Sequence, residues 1–335
     1  MSEIITTVDF EADGKQVGWL RLPHSVTRSA YGVIPIPIAV IQNGPGPQIL
    51  LTAGNHGDEY EGQVALTRLI QTLEPDRIRG RILILPALNL PAVLAGTRVS
   101  PLDQGNLNRA FPGDPRGGPT AQIADYVEQQ LLPMVEVVGD FHSGGASLEY
   151  RPHMSTHFAA DASPEFKARS LEIVKKLGVP HVMIFERKPK PGTLPDGAMR
   201  KGVYSFGGEF GGTGSTSVSG ISYVETAVTR LLSIFGAIES PKPDPSEPEP
   251  EVLHIFGAKA HVYAPEDGVF VPATELSQHV ESGDLCGEVL FPDNPARLPI
   301  PVYYEGEGDV VCRRHPGRVE RGDCLAHLAA PVVNR

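Results

Sequence analysis

Cysteine is scarce in this chain. Its 335 residues include 3 cysteines, Cys286, Cys312 and Cys324, an odd number without Cys-x-x-Cys spacing. That pattern predicts reduced thiols in a cytoplasmic protein, each acting as a small buried hydrophobe. Basic residues are also short: 29 Lys and Arg against 40 Asp and Glu leave a net charge of −11. A protein that tracks a phosphate backbone needs a basic face, so no nucleic-acid partner is expected. No apolar run approaches the ~20 residues that span a bilayer. The start, Met1-Ser-Glu-Ile-Ile5, has no basic segment followed by an apolar stretch, so neither a membrane nor a secretion signal is expected.

What is present fits a globular protein, with 41% hydrophobic and 21% charged residues. The length allows one large core and a smaller one. Residues 1–46 read as short β strands with turns, and Ile34-Pro-Ile-Pro-Ile38 must be extended because each proline disfavours helix at itself and before it. From residue 48, strands and helices alternate. Strands are expected at 48–53, 81–87, 135–141, 179–185 and 202–209, and helices at 61–73, 120–132, 163–176 and 216–235. Ser163 and Pro164 suit the cap and first position of the third helix. The alternation predicts an α/β fold, a mixed, mostly parallel sheet flanked by helices. We take 1–240 as this domain.

Residues 241–251 are proline-rich and acidic and read as a stiff linker. Beyond it, 252–335 changes to short β runs. Val280-Glu-Ser-Gly-Asp284 returns as Val319-Glu-Arg-Gly-Asp323, which suggests a small all-β module of two interlocking halves. It resembles a biotinyl/lipoyl hammerhead, yet residues 264–289 contain no lysine to carry such a group. A cover over the site or an assembly surface is the expected role.

Two motifs carry the chemistry. Thr52-Ala-Gly-Asn-His-Gly-Asp-Glu59 follows one apolar run and presents His56 and Glu59. Asp140-Phe-His-Ser-Gly-Gly145 ends another and presents His142. Two imidazoles and a carboxylate make a usual catalytic zinc shell with a fourth position open. Both histidines stand beside glycines at strand ends, where open α/β sheets bind ligands. Arg98 and Arg109 lie in the loops between; a guanidinium can grip a carboxylate or polarise a carbonyl. Glu209, in Gly207-Gly-Glu-Phe-Gly-Gly212, has a carboxylate kept accessible by glycines and suited to general base work.

His-Gly-Asp-Glu, Asn-Leu-Asn-Arg, Asp-Phe-His-Ser and a late Glu, in that order, resemble the succinylglutamate desuccinylase/aspartoacylase family of the zinc carboxypeptidase-like fold, over roughly residues 20–330. The resemblance implies one zinc ion per chain on His56, Glu59 and His142. It implies that Arg98 polarises the scissile carbonyl, that Asn108 and Arg109 hold the substrate carboxylate, and that Glu209 is the base. The implied reaction is deacylation of a small N-acyl amino acid. Residues 54–62, 95–101 and 142–145 are most similar to the branch that acts on N-acetyl-2,4-diaminobutyrate in ectoine breakdown. Two departures stand out. Asn106 replaces an aspartate that usually supports a zinc histidine, and 186–191 differs from that branch. A zinc carboxypeptidase on short peptides, or a non-catalytic ligand-binding relative, uses the same residues. Self-association stays open.

Overall fold

The protein is described by a computed structural model over residues 3–239 and 248–332. Most of the expected linker, 240–247, lies outside the described residues. The strands before it are β1 (Ile5–Thr6), β2 (Gly14–Pro23), β3 (Val33–Asn43), β4 (Gln48–Ala53), β5 (Gly80–Leu85), β6 (Val137–His142), β7 (Leu148–Tyr150), β8 (His153–Ala159), β9 (His181–Arg187) and β10 (Tyr204–Glu209). The helices are α1 (Glu61–Thr72), α2 (Leu90–Ala95), α3 (Pro119–Tyr126), α4 (Pro164–Lys175), α5 (Leu194–Lys201) and α6 (Val218–Ile234). The C-terminal strands are β11 (Glu251–His254), β12 (His261–Tyr263), β13 (Gly268–Pro272), β14 (His279–Val280), β15 (Leu285–Leu290), β16 (Ile300–Tyr303), β17 (Gly308–Arg314), β18 (Arg318–Val319) and β19 (Cys324–Pro331).

The main sheet runs β1-β2-β3-β5-β4-β6-β10-β8-β9-β11-β19-β17-β14, with β12 beside β19 and β7 beside β17. Its centre, β5-β4-β6-β10, is parallel. Antiparallel pairs flank it at β3–β5 and β10–β8. The expected mixed sheet between helices is therefore the architecture found. The strands β4, β5 and β6 are buried along nearly their whole length because helices cover both faces. That is why they read as unbroken apolar runs. One core lies between the sheet and α1, α4 and α6, with Ile49, Leu51, Ala65, Val137, Phe206 and Leu231. The other lies under α3 and α5, with Ile36, Leu50, Leu83, Ile123, Val138 and Ala198.

The N-terminal region differs from the short strands expected. The strands β2 and β3 span 10 and 11 residues, paired from Gly14↔Gln42 to Pro23↔Val33. Strict alternation buries Leu20, Leu22, Ile34, Ile36 and Ile38 on one face. Pro35 and Pro37 fit because β3 pairs with β5 only from Ala39 onward. Before that point its second edge is free, and a missing N–H costs nothing there. The helix expected at 120–132 is α3 followed by a wider turn over Val127–Leu131 and a tight one over Leu132–Met134, where Pro133 cannot continue an α-helix. Ser163 caps α4, accepting from the Phe166 N–H at 3.2 Å.

The C-terminal repeat is visible in the backbone. Gly283 and Gly322 take left-handed φ of 98° and 93°. In each copy the Asp side chain accepts the N–H three residues back, Glu281 to Asp284 at 2.8 Å and Glu320 to Asp323 at 2.9 Å. Each Gly N–H then crosses to the other half, Gly283 to Tyr304 O and Gly322 to Ala264 O. A separate core with Phe270, Val289, Tyr304 and Leu325 fills the space between. This region joins the main sheet where β11 pairs with β9 and β17 with β7. Arg151 clamps that junction, donating to Glu251 at 2.7 Å, Asp309 at 3.4 Å and His181 at 2.8 Å.

Arg151 is mostly covered while Glu251 remains partly in water, so its loss strands Asp309 and His181 more than Glu251. Arg151→Met is expected to cost about 2 kcal/mol of stability, read as a lower urea midpoint at unchanged m-value. A midpoint equal to wild type would mean that the clamp contributes nothing to joining the two regions.

Candidate metal centre

Strand order places the site. Pairing of β4 with β6 sets Thr52 opposite Asp140, and pairing of β6 with β10 sets His142 opposite Glu209. Adjacent strands are about 4.8 Å apart, so the carboxyl ends of three parallel strands bring His142, Glu209 and the loop after Ala53 together. That loop turns through Gly54 at φ 69°. It passes so near α2 that a Cβ on Gly57 would sit 1.9 Å from the Ala92 carbonyl oxygen. The turn delivers His56 and then Glu59, immediately before α1 begins.

His56, Glu59 and His142 offer ligand atoms that all lie within 4.8 Å of one another. His56 and Glu59 are each 2% exposed and His142 is 9% exposed. The Nδ1 atoms of both imidazoles are 2.7 Å from the Glu59 carboxylate, one on each oxygen. Their Nε2 atoms face outward, His56 to Asn106 Oδ1 at 3.0 Å and His142 to Asp140 Oδ2 at 2.9 Å. Oxygen acceptors on the outer nitrogens would keep the protons there when a cation replaces the inner ones, freeing both Nδ1 lone pairs to converge on it with the carboxylate. This donor set fits a divalent cation, with the outer partners fixing tautomer and ring orientation. Burial opposes ionisation of Glu59, yet the two imidazoles outweigh it and hold its carboxyl far below the usual range. Burial likewise opposes a charge on His142, and Asp140 and Glu59 together override it.

The remaining expected residues surround this centre. Arg98 donates from Nη1 to Glu59 Oε1 at 3.2 Å. Asn108 places its amide 3.4 Å from His142 Nε2, while its Oδ1 accepts the Leu194 N–H at 3.1 Å. Arg109 is exposed, and its Nη1 donates to the Asn108 carbonyl at 2.7 Å. Glu209 keeps Oε2 buried without a hydrogen-bond partner. Burial first, and then the Glu59 charge, push its carboxyl well above the ordinary range. Asn106 occupies the position beside His56, where the resemblance expects an aspartate.

Three residues here carried no assignment from sequence. Asp140 supports His142 and is itself held by Thr52 Oγ1 at 2.8 Å. Its place two residues before the histidine on one strand face was a readable signal. Glu61, fully buried, accepts from Ser143 Oγ and from the Ser217 N–H at 3.1 Å. It thereby fastens the His142 loop to the start of α6. Tyr150 donates its backbone N–H to the Gly211 carbonyl at 2.9 Å, two residues beyond Glu209, and no sequence pattern pointed to it.

A family model described as the succinylglutamate desuccinylase/aspartoacylase catalytic domain matches residues 45–235. The N-alpha-acetyl-L-2,4-diaminobutyric acid deacetylase of Halomonas elongata is 39% identical over 333 residues, covering 99% of this chain and 96% of that protein. Among solved structures, the product-bound ectoine utilization protein EutE (DoeB) from Ruegeria pomeroyi superposes with a TM-score of 0.92 at 35% identity, covering 98% of this chain and 99% of that one. A succinylglutamate desuccinylase/aspartoacylase from Rhodobacter sphaeroides gives 0.91 at 35% identity, covering 98% and 100%.

Asp140 shapes the centre without contributing a converging atom. Asp140→Asn weakens the acceptor for His142 Nε2, and divalent-metal affinity is expected to fall about 10–100-fold, measured by competition with a chelating dye. An unchanged affinity would show that His142 is oriented by its strand alone.

Proposed function

The chain belongs to the succinylglutamate desuccinylase/aspartoacylase family, and from that premise we propose that it is a zinc-dependent deacylase of a small N-acyl amino acid, with N-acetyl-2,4-diaminobutyrate, the compound in the name of the Halomonas elongata relative, as the substrate to test first. The observation that carries this reading is the convergence of His56, Glu59 and His142 beside a carboxylate, Glu209, with an unpartnered buried oxygen. The three free cysteines support a reducing, cytoplasmic setting.

In this reading His56, Glu59 and His142 hold the metal. Zinc in such a shell supplies Lewis-acid activation of water and of the scissile carbonyl. Glu209 takes a proton from the attacking water and returns it to the departing nitrogen. The amide C–N bond breaks, water supplies the new C–O bond, and the products are a free amine and a carboxylic acid. A carboxyl with a raised pKa is suited to that exchange, because it is a stronger base toward water than an ordinary carboxylate and, once protonated, is still acidic enough to protonate the more basic departing nitrogen. Arg98 already lies against the Glu59 carboxylate and is placed to meet negative charge developing on the carbonyl oxygen. Asn108 has spent its oxygen on Leu194, so its amide hydrogens remain for a substrate carboxylate. Arg109 adds a planar fork beside it. In a chain of net charge −11, an anionic substrate needs such local cations.

A screen of N-acyl amino acids against short peptides tests the reading. Turnover of N-acetyl-2,4-diaminobutyrate that a chelator abolishes and zinc restores is expected. Hydrolysis of peptides lacking a small acyl group, with N-acyl amino acids untouched, would instead mark a carboxypeptidase.

The residue roles separate kinetically. Glu209→Gln is expected to retain metal and KM while kcat drops about 10²–10⁴-fold. Its melting temperature should not fall, because the variant removes a buried carboxyl with an unpaired oxygen. Activity within about threefold of wild type would reassign the base. Arg109→Lys should raise KM, whereas Arg98→Lys should depress kcat, since its contact strengthens as the oxyanion forms. If both changed KM alone, Arg98 would be a second binding residue.

A further inference from the structure

A group of titratable side chains lies where the C-terminal strands meet the main sheet, and the mechanism above leaves it unused. His153 is the cross-strand partner of Glu209, and the Tyr150 ring centre lies 5.8 Å from that of His153. Tyr150 is the cross-strand partner of Cys312 on β17. Its hydroxyl lies 3.5 Å from Nδ1 of His327 on β19. The Tyr150 N–H donates to the Gly211 carbonyl at 2.9 Å, two residues beyond Glu209. Glu149 forms a further bridge to Gly212, and Arg313 of β17 holds the Glu149 side chain at 3.0 Å.

From this arrangement we propose that Tyr150 is a positioning residue for Glu209, and that the C-terminal strands act on the reaction by holding it. The proposal rests on the reading of Glu209 as the base. A carboxyl with an unpartnered buried oxygen has few bonds of its own to fix its rotamer, so its orientation falls to packing and to the backbone that carries it. The segment Glu209–Gly212 is tied on one side to β6, through the bond from the Phe210 N–H to the His142 carbonyl. On the other side it is tied to β7. The strand β7 is in turn held by β17 through three cross-strand pairs, and the Tyr150 hydroxyl meets His327 of β19. The surroundings add no competing charge. Burial holds His153 and His327 down to about 4 each, so both are neutral near pH 7. Burial above all keeps the phenol and the thiol protonated.

The test uses the zinc-loaded full chain. Tyr150→Ala is expected to lower kcat for N-acetyl-2,4-diaminobutyrate about 30-fold with KM within about twofold and metal content unchanged. Tyr150→Phe keeps the ring and should recover most of that loss. Cys312→Ala, on the other side of the junction, should lower kcat about threefold by loosening the packing of β17 against β7. A kcat unchanged in Tyr150→Ala, or KM, kcat and metal content falling together, would overturn the proposal. Amide hydrogen exchange needs no substrate. Residues 207–213 should exchange faster in Tyr150→Ala while 137–142 stay protected, and equal rates at both would also overturn it. If no N-acyl amino acid were hydrolysed and the exchange difference held, the proposed function would fail and the positioning would stand. If Glu209→Gln abolished turnover and the Tyr150 variants did not reduce it, the outcome would be the reverse.

Discussion

A single buried carboxylate, Glu59, accepts from two imidazoles at 2.7 Å, from the Ser143 N–H at 3.2 Å and from Arg98 at 3.2 Å. Removing a carboxylate from water is costly, and only a full set of donors or a cation offsets it. The loop after β4, the strand end of β6 and the loop carrying Arg98 must therefore all reach one point. The neighbours of Glu59 extend the same logic. Asp58 accepts the Ala146 N–H at 2.8 Å, and Glu61 takes Ser143 and Ser217. All three acids in the run 58–61 hold the loop after β6, at Ala146 or Ser143, while Glu59 also takes Arg98 and Glu61 also takes Ser217, so a few residues at the start of α1 staple three segments around the centre.

Close backbone approach makes this possible. A Cβ on Gly144 would lie 2.2 Å from the Leu148 carbonyl oxygen, and one on Gly212 would lie 2.0 Å from the same atom. Both glycines let the loops after β6 and β10 fold onto β7 at this one carbonyl, where they also meet each other. Replacing either would push His142 or Glu209 away from the centre. The same contact gives the C-terminal strands a route to the site, since β7 is hydrogen-bonded to β17. Cleft, base loop and C-terminal region thus share one short strand.

What was legible in the sequence follows from what periodicity and spacing encode. The bounds of β4 were read directly, because a fully buried strand is an apolar run between turn residues. His56, Glu59 and His142 were readable as a set because glycines mark strand ends, and the structure brings the three together. The lengths of β2 and β3 were not, since prolines at 35 and 37 look like strand breakers until the unpaired edge is known. Tyr150 was invisible for another reason. Its neighbours Cys312 and His327 are more than 160 residues away in the chain, and only the pairing of β17 with β7 makes them adjacent.

The two histidines of the centre are supported unequally, and charge explains what that does. His142 leans on a carboxylate, Asp140, whereas His56 leans on an amide, Asn106. Both acceptors fix the outer proton, so orientation is served by either. They differ in net charge. Asp58, Glu59, Glu61, Asp140 and Glu209 already gather five carboxyls around one small volume, in a chain that is −11 overall. At an effective dielectric of about 20, a further unit charge 4 Å away contributes about 4 kcal/mol of Coulomb energy. A sixth carboxyl at position 106 would oppose the ionisation of Glu209 and repel an anionic substrate, with Arg98 and Arg109 left to offset both. An amide there keeps the tautomer of His56 and omits the charge. The departure from the family pattern at Asn106 is therefore compatible with a working centre, and it lightens the electrostatic load on the two arginines.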